Sequence, residues 1–382
     1  MKNIWIDGYE ANVPQRLGSS QVAFELLSAL EQIDQKNNYT ILLPNKPLDD
    51  LPKERDGWKY KVLKPGKLWT YFALPLALFF SKDKPDLFFS PTHYIPKFTK
   101  IKRVGTIFDL AYLKFPELFK KDDLWKLKNW TKYSVLNASH LITISDFSKK
   151  DIVLNYQIPS SRITVAYPGY DQDQFKVIND QNEINNRKEK YNIEGDYLLF
   201  IGTIQPRKNL IKLIEAWHQV ISSEGELKNK KLQLVIVGKT TGEGRQAWMY
   251  EDILNRPKEL GIDSSVNFTG FVPIEDLPYL INGATAFILP SLWEGFGIPV
   301  VESMACGTPV IVSNVSSLPE VVGDAGILID PYSTDEMAQA IRTILADHTL
   351  QSKKSKEGKA QAQKFSWEKM AKTVLRVFEE LG

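Results

Sequence analysis

The chain has 382 residues, 43% of them hydrophobic and 25% charged, enough for two globular domains of ordinary size. Its 48 basic and 46 acidic residues leave a formal charge of only +2, so nothing global calls for nucleic acid as a partner. One cysteine, Cys306, excludes an intrachain disulfide and a multi-cysteine metal site, and His93, His140, His218 and His348 lack metal-ligand spacing.

In chain order, the start does not read as a signal peptide, because Asp7 and Gly8 cut its apolar run short. Residues 2–6 predict a first strand. Val22, Leu26, Leu27, Leu30 and Ile33 follow at helical spacing. Between them, Gly18 ends a turn in which Ser19 or Ser20 suits a helix N-cap. Further strands are expected at 39–43, 86–89, 103–107, 140–144 and 163–166. Most are dense in apolar residues, as parallel strands buried on both faces are. The longest apolar run, Leu68 to Phe80, is thirteen residues, too short for a membrane span of about 20. With its lysines, the stretch Lys64 to Lys82 reads either as a core helix or as a face for lipid, a membrane surface or a lipid-linked acceptor.

From about 175 to 195 the chain turns polar, as a linker with a short helix would. A second α/β series follows, with strands at 197–201, 232–237, 266–268, 286–289, 310–312 and 327–329. Two such domains joined by a linker make a cleft, a common ligand site. The last segment predicts an amphipathic helix capped by Ser366.

Two stretches of the second series carry chemistry. After the strand 197–201, Gly202 turns the chain and Arg207 and Lys208 precede a helix, a clamp for a diphosphate. A solvated basic turn is the bland alternative. After the strand 286–289, Glu294 and Glu302 flank a turn with Gly295 and Gly297, Pro299 suits a helix start and Gly307 its end. The first turn of that helix presents free N–H groups to an anion. A carboxylate on each side of an anion site suggests a ligand with phosphates and hydroxyls.

The spacing Glu294-x7-Glu302, with Gly295, Phe296, Gly297, Pro299, Gly307 and Pro309, resembles the motif of the retaining glycosyltransferases of family 4. The resemblance runs along nearly the whole chain and is strongest from Tyr197 to Asp330. It implies the GT-B fold, an α/β architecture of two Rossmann-like domains with parallel sheets facing a central cleft. The expected division is an acceptor-side domain over 1–175, a linker over 176–196, a nucleotide-sugar domain over 197–365, and a helix over 366–382 that packs back on the first domain.

The resemblance also implies roles. Arg207 and Lys208 hold the donor diphosphate and stabilise it as a leaving group. Glu302 bonds the ribose hydroxyls, Glu294 contacts the donor sugar near the reacting centre, and Phe296, Gly297 and Ile298 offer backbone N–H groups. Gly202 and Gly18 line the donor site, Gly18 in a loop with fewer glycines than the family's usual one. The segment from Asn267 to Val272, with Gly270 and Phe271, lines the nucleobase pocket. Phe108 stands where many relatives have the histidine that contacts the donor sugar, a departure from the family's pattern. Asp109 reads equally as a sugar or acceptor contact and as a structural cap, and His93 as a cleft residue or a plain loop residue. Residues 143–150 read as a capped strand-to-helix turn.

The expectation is therefore a cytoplasmic enzyme, soluble or peripheral at the inner membrane face. It moves a hexose from a UDP- or GDP-linked donor to a saccharide or lipid-linked acceptor. It needs no cofactor and no metal, since the one Asp-x-Asp triplet, Asp171 to Asp173, lies in the approach to the linker. Rival readings are a sugar-nucleotide epimerase, a phosphorylase of similar architecture, or a non-catalytic nucleotide-sugar sensor. A dinucleotide oxidoreductase would need a Gly-x-Gly-x-x-Gly run, which is absent.

Overall fold

A computed structural model describes residues 1–66, 68–92, 94–223, 231–238 and 250–381. The chain divides into two compact units, one of Met1–Gly169 with Ser366–Gly382 and one of Tyr170–Phe365.

The first unit is built on seven parallel strands: β1 Asn3–Asp7, β2 Asn38–Leu43, β3 Trp58–Val62, β4 Leu87–Ser90, β5 Lys102–Ile107, β6 His140–Thr143 and β7 Ile163–Val165. Their order is β3-β2-β1-β4-β5-β6-β7. The central strands are apolar runs buried on both faces, since crossover helices cover both sides of a parallel sheet. The edge strand β3 alternates lysine with apolar residues and is mostly exposed. That composition hides a strand from a search for apolar runs.

The second unit has six: β8 Asp196–Ile201, β9 Leu232–Val237, β10 Val266–Gly270, β11 Ala286–Leu289, β12 Val310–Ser313 and β13 Ile327–Ile329. Their order is β10-β9-β8-β11-β12-β13, all parallel where paired. In each sheet the chain starts in the middle, winds to one edge, then returns and winds to the other. The order reverses between β1 and β4 and between β8 and β11. Adjacent crossovers leave in opposite directions there, so a crevice opens at the carboxyl ends of those strands.

The unit boundary falls at Gly169 and Tyr170 rather than at 175. Residues 176–196 belong to the second unit instead of forming a free linker. The helix Gln181–Lys190 is capped by Asp180 and pinned to buried Asp276, which accepts from Arg187 at 2.7 Å, Lys190 at 2.6 Å and Tyr191 at 2.6 Å.

The closing helix, Trp367–Leu381, buries Met370, Ala371, Val374, Val377 and Phe378, one stripe at helical spacing. It packs on the helix Ser19–Ile33, and the Phe378 ring lies 5.2 Å from that of Phe89 on β4. Lys2 Nζ donates to the Phe378 and Glu379 carbonyls at 2.7 Å, satisfying acceptors that a helix end leaves open. Among the described residues, no helix is long and apolar enough to cross a membrane.

Candidate functional site

Arg207 and Lys208 lie in a single 3-10 turn, Pro206–Lys208, just beyond β8. Asn209 ends the turn in the left-handed conformation, at φ 61, and its side chain donates to the Pro290 carbonyl at 3.1 Å and the Pro331 carbonyl at 2.7 Å. The Leu292 N–H donates to the Arg207 carbonyl at 2.9 Å. These bonds tie the loop after β8 to the loop after β11, so the two sides of the switch point are held together.

Glu294 is carried on that second loop. Its N–H donates to Ser316 Oγ at 3.1 Å, and Ser317 Oγ donates to its carbonyl at 3.0 Å. Its carboxylate is buried, 7% exposed, between the two cations. Lys208 Nζ donates to Oε1 at 2.5 Å and Arg207 Nη1 lies 3.3 Å from Oε2, while Arg207 also donates to the Trp293 carbonyl. Burial alone would raise the carboxyl pKa. The attraction of Lys208 and then Arg207 outweighs it and holds the group at about 2. Two cations around one carboxylate leave a local surplus of positive charge. Such a place accepts an added anion at low cost.

Glu294 is followed by the helix Ile298–Ala305. Gly297 caps it at φ 103, a conformation that a side chain would strain. Pro299 sits in the first turn, where its missing N–H costs nothing. Glu302 is half-buried in the second turn. Phe296 is 2% exposed with its ring 5.3 Å from that of Phe365, so its side chain is core and only its backbone can serve a ligand. Gly307 ends the helix at φ 80, with its N–H on the Met304 carbonyl.

A Cβ on Gly202 would press on the Phe200 ring at 3.2 Å and would meet Lys208 Cε at an ordinary contact distance of 3.6 Å. Gly238, after β9, is a sterically constrained position beside Gly202 that the motifs did not reveal. Its missing Cβ would fall 2.1 Å from the Gly202 carbonyl oxygen, so no side chain is tolerated. Phe271 follows β10 and is half exposed. Gly202, Gly238, Phe271 and the loop of Glu294 thus all lie beyond the carboxyl ends of neighbouring strands.

The remaining candidates lie on the first unit. Gly18 itself is the N-cap of the helix Ser19–Ile33, at φ 57 with open space around it. Ser20 bonds Leu17 instead of capping the helix. Asp109 accepts from the Ala111 N–H at 2.8 Å. Ser145 caps the helix Asp146–Tyr156, accepting from the Ser148 N–H at 3.0 Å. His93 and Lys67 lie outside the described residues. At the end of β1, Asp7 is a buried carboxyl that sequence reasoning passed over. Burial raises its pKa to about 6, although the Tyr9 N–H at 3.0 Å and Trp69 Nε1–H at 2.8 Å donate to it.

Residues 181–364 match the family described as glycosyl transferases group 1, and residues 18–174 match glycosyltransferase family 4. The chain is 33% identical over 301 residues to O-antigen chain mannosyltransferase B of Escherichia coli, an alignment covering 78% of this chain and 75% of that one. The chain belongs to the group 1 glycosyltransferases. It shares its GT-B fold with sucrose-phosphate synthase from Thermosynechococcus elongatus (TM-score 0.77, 20% identity, covering 100% of this chain and 99% of that one). It shares it also with Anabaena HepE, solved with UDP and glucose (TM-score 0.74, 19% identity, covering all of both chains). The Glu294 loop and the turn bearing Arg207 and Lys208 both fall within the region matched to this glycosyltransferase family.

Proposed function

We propose that this glycosyltransferase moves a hexose from a UDP- or GDP-linked donor to a saccharide or lipid-linked saccharide, with retention of anomeric configuration, in the assembly of a cell-surface polysaccharide. The observation that carries the reading is the buried Glu294 carboxylate between Arg207 and Lys208 at the switch point of the second sheet. Mannose is the first sugar to test, because the E. coli relative is named as a mannosyltransferase.

In this reading Arg207 and Lys208 hold the diphosphate and take up the charge that grows on it as it leaves. Glu294 keeps both cations in place and stays ionised, which suits it to accept from sugar hydroxyls and not to donate a proton. Glu302 bonds the ribose, and the N–H groups of Phe296, Gly297 and Ile298 meet sugar and phosphate. The bond from the anomeric carbon to the β-phosphate oxygen breaks. The acceptor oxygen forms its bond on the same face, and its proton passes to a phosphate oxygen of the leaving diphosphate. The two cations do the work of charge neutralisation, so the proposal includes no metal and no cofactor.

Thermal unfolding with UDP, GDP, ADP and dTDP, each with and without a chelator, tests the donor site. A nucleotide at about 100 times its dissociation constant stabilises by about 2.7 kcal/mol. One nucleotide is expected to stand out with or without chelator, and no shift from any would overturn the site. Turnover of that nucleotide's sugars, with the product's anomeric configuration read by NMR, then tests retention. An inverted product refutes it.

A further inference from the structure

The stretch between β3 and β4 folds as a π-helical turn, Trp69–Ala73, running into the helix Leu74–Phe80. One side is spent on the core: Trp69, Ala73, Leu74 and Leu78 are buried together with Trp5, Leu42 and Phe88. The other side carries Leu68, Phe72, Leu76, Phe79 and Phe80, exposed by 62%, 52%, 46%, 65% and 72%. Steps of mostly four and three residues keep them in one stripe. A core helix would bury its apolar residues on one face and show polar ones on the other. This one is apolar on both.

A loop rises beside it. Ile101 packs against the same core cluster, and Lys97 Nζ lies 5.6 Å over the Tyr71 ring. At the tip of that loop Phe98 is 81% exposed and held at φ 58, a left-handed conformation that an aromatic residue adopts only at a cost. Lys97 and Lys100 flank it, and Lys82 and Lys84 follow the end of the stripe.

The charge of the whole unit runs the same way. Residues 64 to 136 hold 14 lysines and arginines against 6 aspartates and glutamates. The first unit holds 28 against 20, whereas the second holds 20 against 26. A net charge near zero for the chain therefore conceals a basic unit and an acidic one.

We propose that the stripe of Leu68, Phe72, Leu76, Phe79 and Phe80, with Phe98 and the lysine rim, docks the first unit on an anionic lipid bilayer. The apolar side chains enter the boundary between headgroups and acyl chains, and the lysines meet acidic headgroups. The helix is too short to span, so the contact is parallel to the surface. Charge decides against a second copy of this chain, because a self-complementary interface would bring the same lysines face to face. The proposal stands independently of the donor site.

The test is flotation with vesicles of phosphatidylcholine alone and of phosphatidylcholine with phosphatidylglycerol. The parent protein is expected to float with the acidic vesicles, less so at high salt, and to stay behind with the neutral ones. Phe79→Ser combined with Phe80→Ser is expected to lose at least about tenfold in binding, the scale of two withdrawn aromatic side chains, with its melting point and nucleotide affinity kept. Lys82→Glu with Lys84→Glu is expected to lose binding to acidic vesicles. A parent protein that stays behind with both vesicle types overturns the proposal. So does a variant that floats like the parent, or a parent dimer in light scattering that the aromatic variant dissociates. A readout free of large substitutions is Phe79→Cys carrying a polarity-sensitive dye. Native Cys306 is 4% exposed, so the label goes to the new site. A blue shift with acidic vesicles supports docking, and an unchanged aqueous spectrum refutes it.

Discussion

The carboxyl ends of the two sheets make an instructive pair. Each sheet reverses its strand order once, and each holds a buried carboxyl close to that point: Asp7 at the end of β1 and Glu294 in the loop after β11. Both groups are withdrawn from water, which by itself disfavours the charged form. Glu294 has Lys208 and Arg207 on it and titrates at about 2, whereas Asp7 receives only neutral N–H donors, has Glu10 nearby, and titrates at about 6. Burial therefore does not decide the state of a carboxyl. The charge of its neighbours does.

The pair makes opposite demands on pH. Glu294 is depressed below its usual 4.5, so its stabilisation is complete above that value and is lost as pH falls toward about 2. Asp7 is raised above its usual 3.8, so its contribution is complete below that value and is lost as pH rises through about 6. Four changes probe this contrast. Glu294→Gln strands two largely buried cations and should cost about 3–5 kcal/mol in chemical denaturation at neutral pH, with the difference shrinking in acid. A loss below about 1 kcal/mol would show that the cations are solvated. Lys208→Ala should lower the rate of sugar transfer by about a hundredfold or more, and kinetics within about threefold of the parent would remove Lys208 from the chemistry. Asp7→Asn keeps an acceptor for Trp69 and Tyr9 but cannot ionise. It should stabilise the protein by about 3 kcal/mol at neutral pH and by nothing in strong acid, and an unchanged melting profile would break the contrast. Glu302→Ala should weaken nucleoside diphosphate binding by about 1–3 kcal/mol in calorimetry, and unchanged affinity would refute the ribose contact.

The apolar strands and amphipathic helices were legible in the sequence, because their cause is local: period, caps and turn glycines. Arg207, Lys208 and Glu294 were legible as separate signals for the same reason. Their ion pairs were not, since they join residues 86 and 87 positions apart that only the β8–β11 pairing brings together. The Asp7–Trp69 bond spans 62 positions and leaves no local trace. Gly238 reads as an ordinary glycine after a strand until the Gly202 carbonyl is found against it. The helix 181–190 looked like a linker because its polar composition conceals how Asp276 anchors it.

The first unit is finished by residues that come after the whole of the second. Its groove beside the helix Ser19–Ile33 and over Phe89 stays open until Val374, Val377 and Phe378 arrive. The chain leaves this unit at Gly169 and re-enters at Ser366. The two crossings touch, since a Cβ on Gly169 would fall 2.1 Å from the Trp367 nitrogen. On the ribosome, then, the usual order in which the leading domain is completed first cannot hold. The inserted unit has all its parts while the first still shows an apolar trough to the cell, and chaperone occupancy during translation should persist until that last helix emerges.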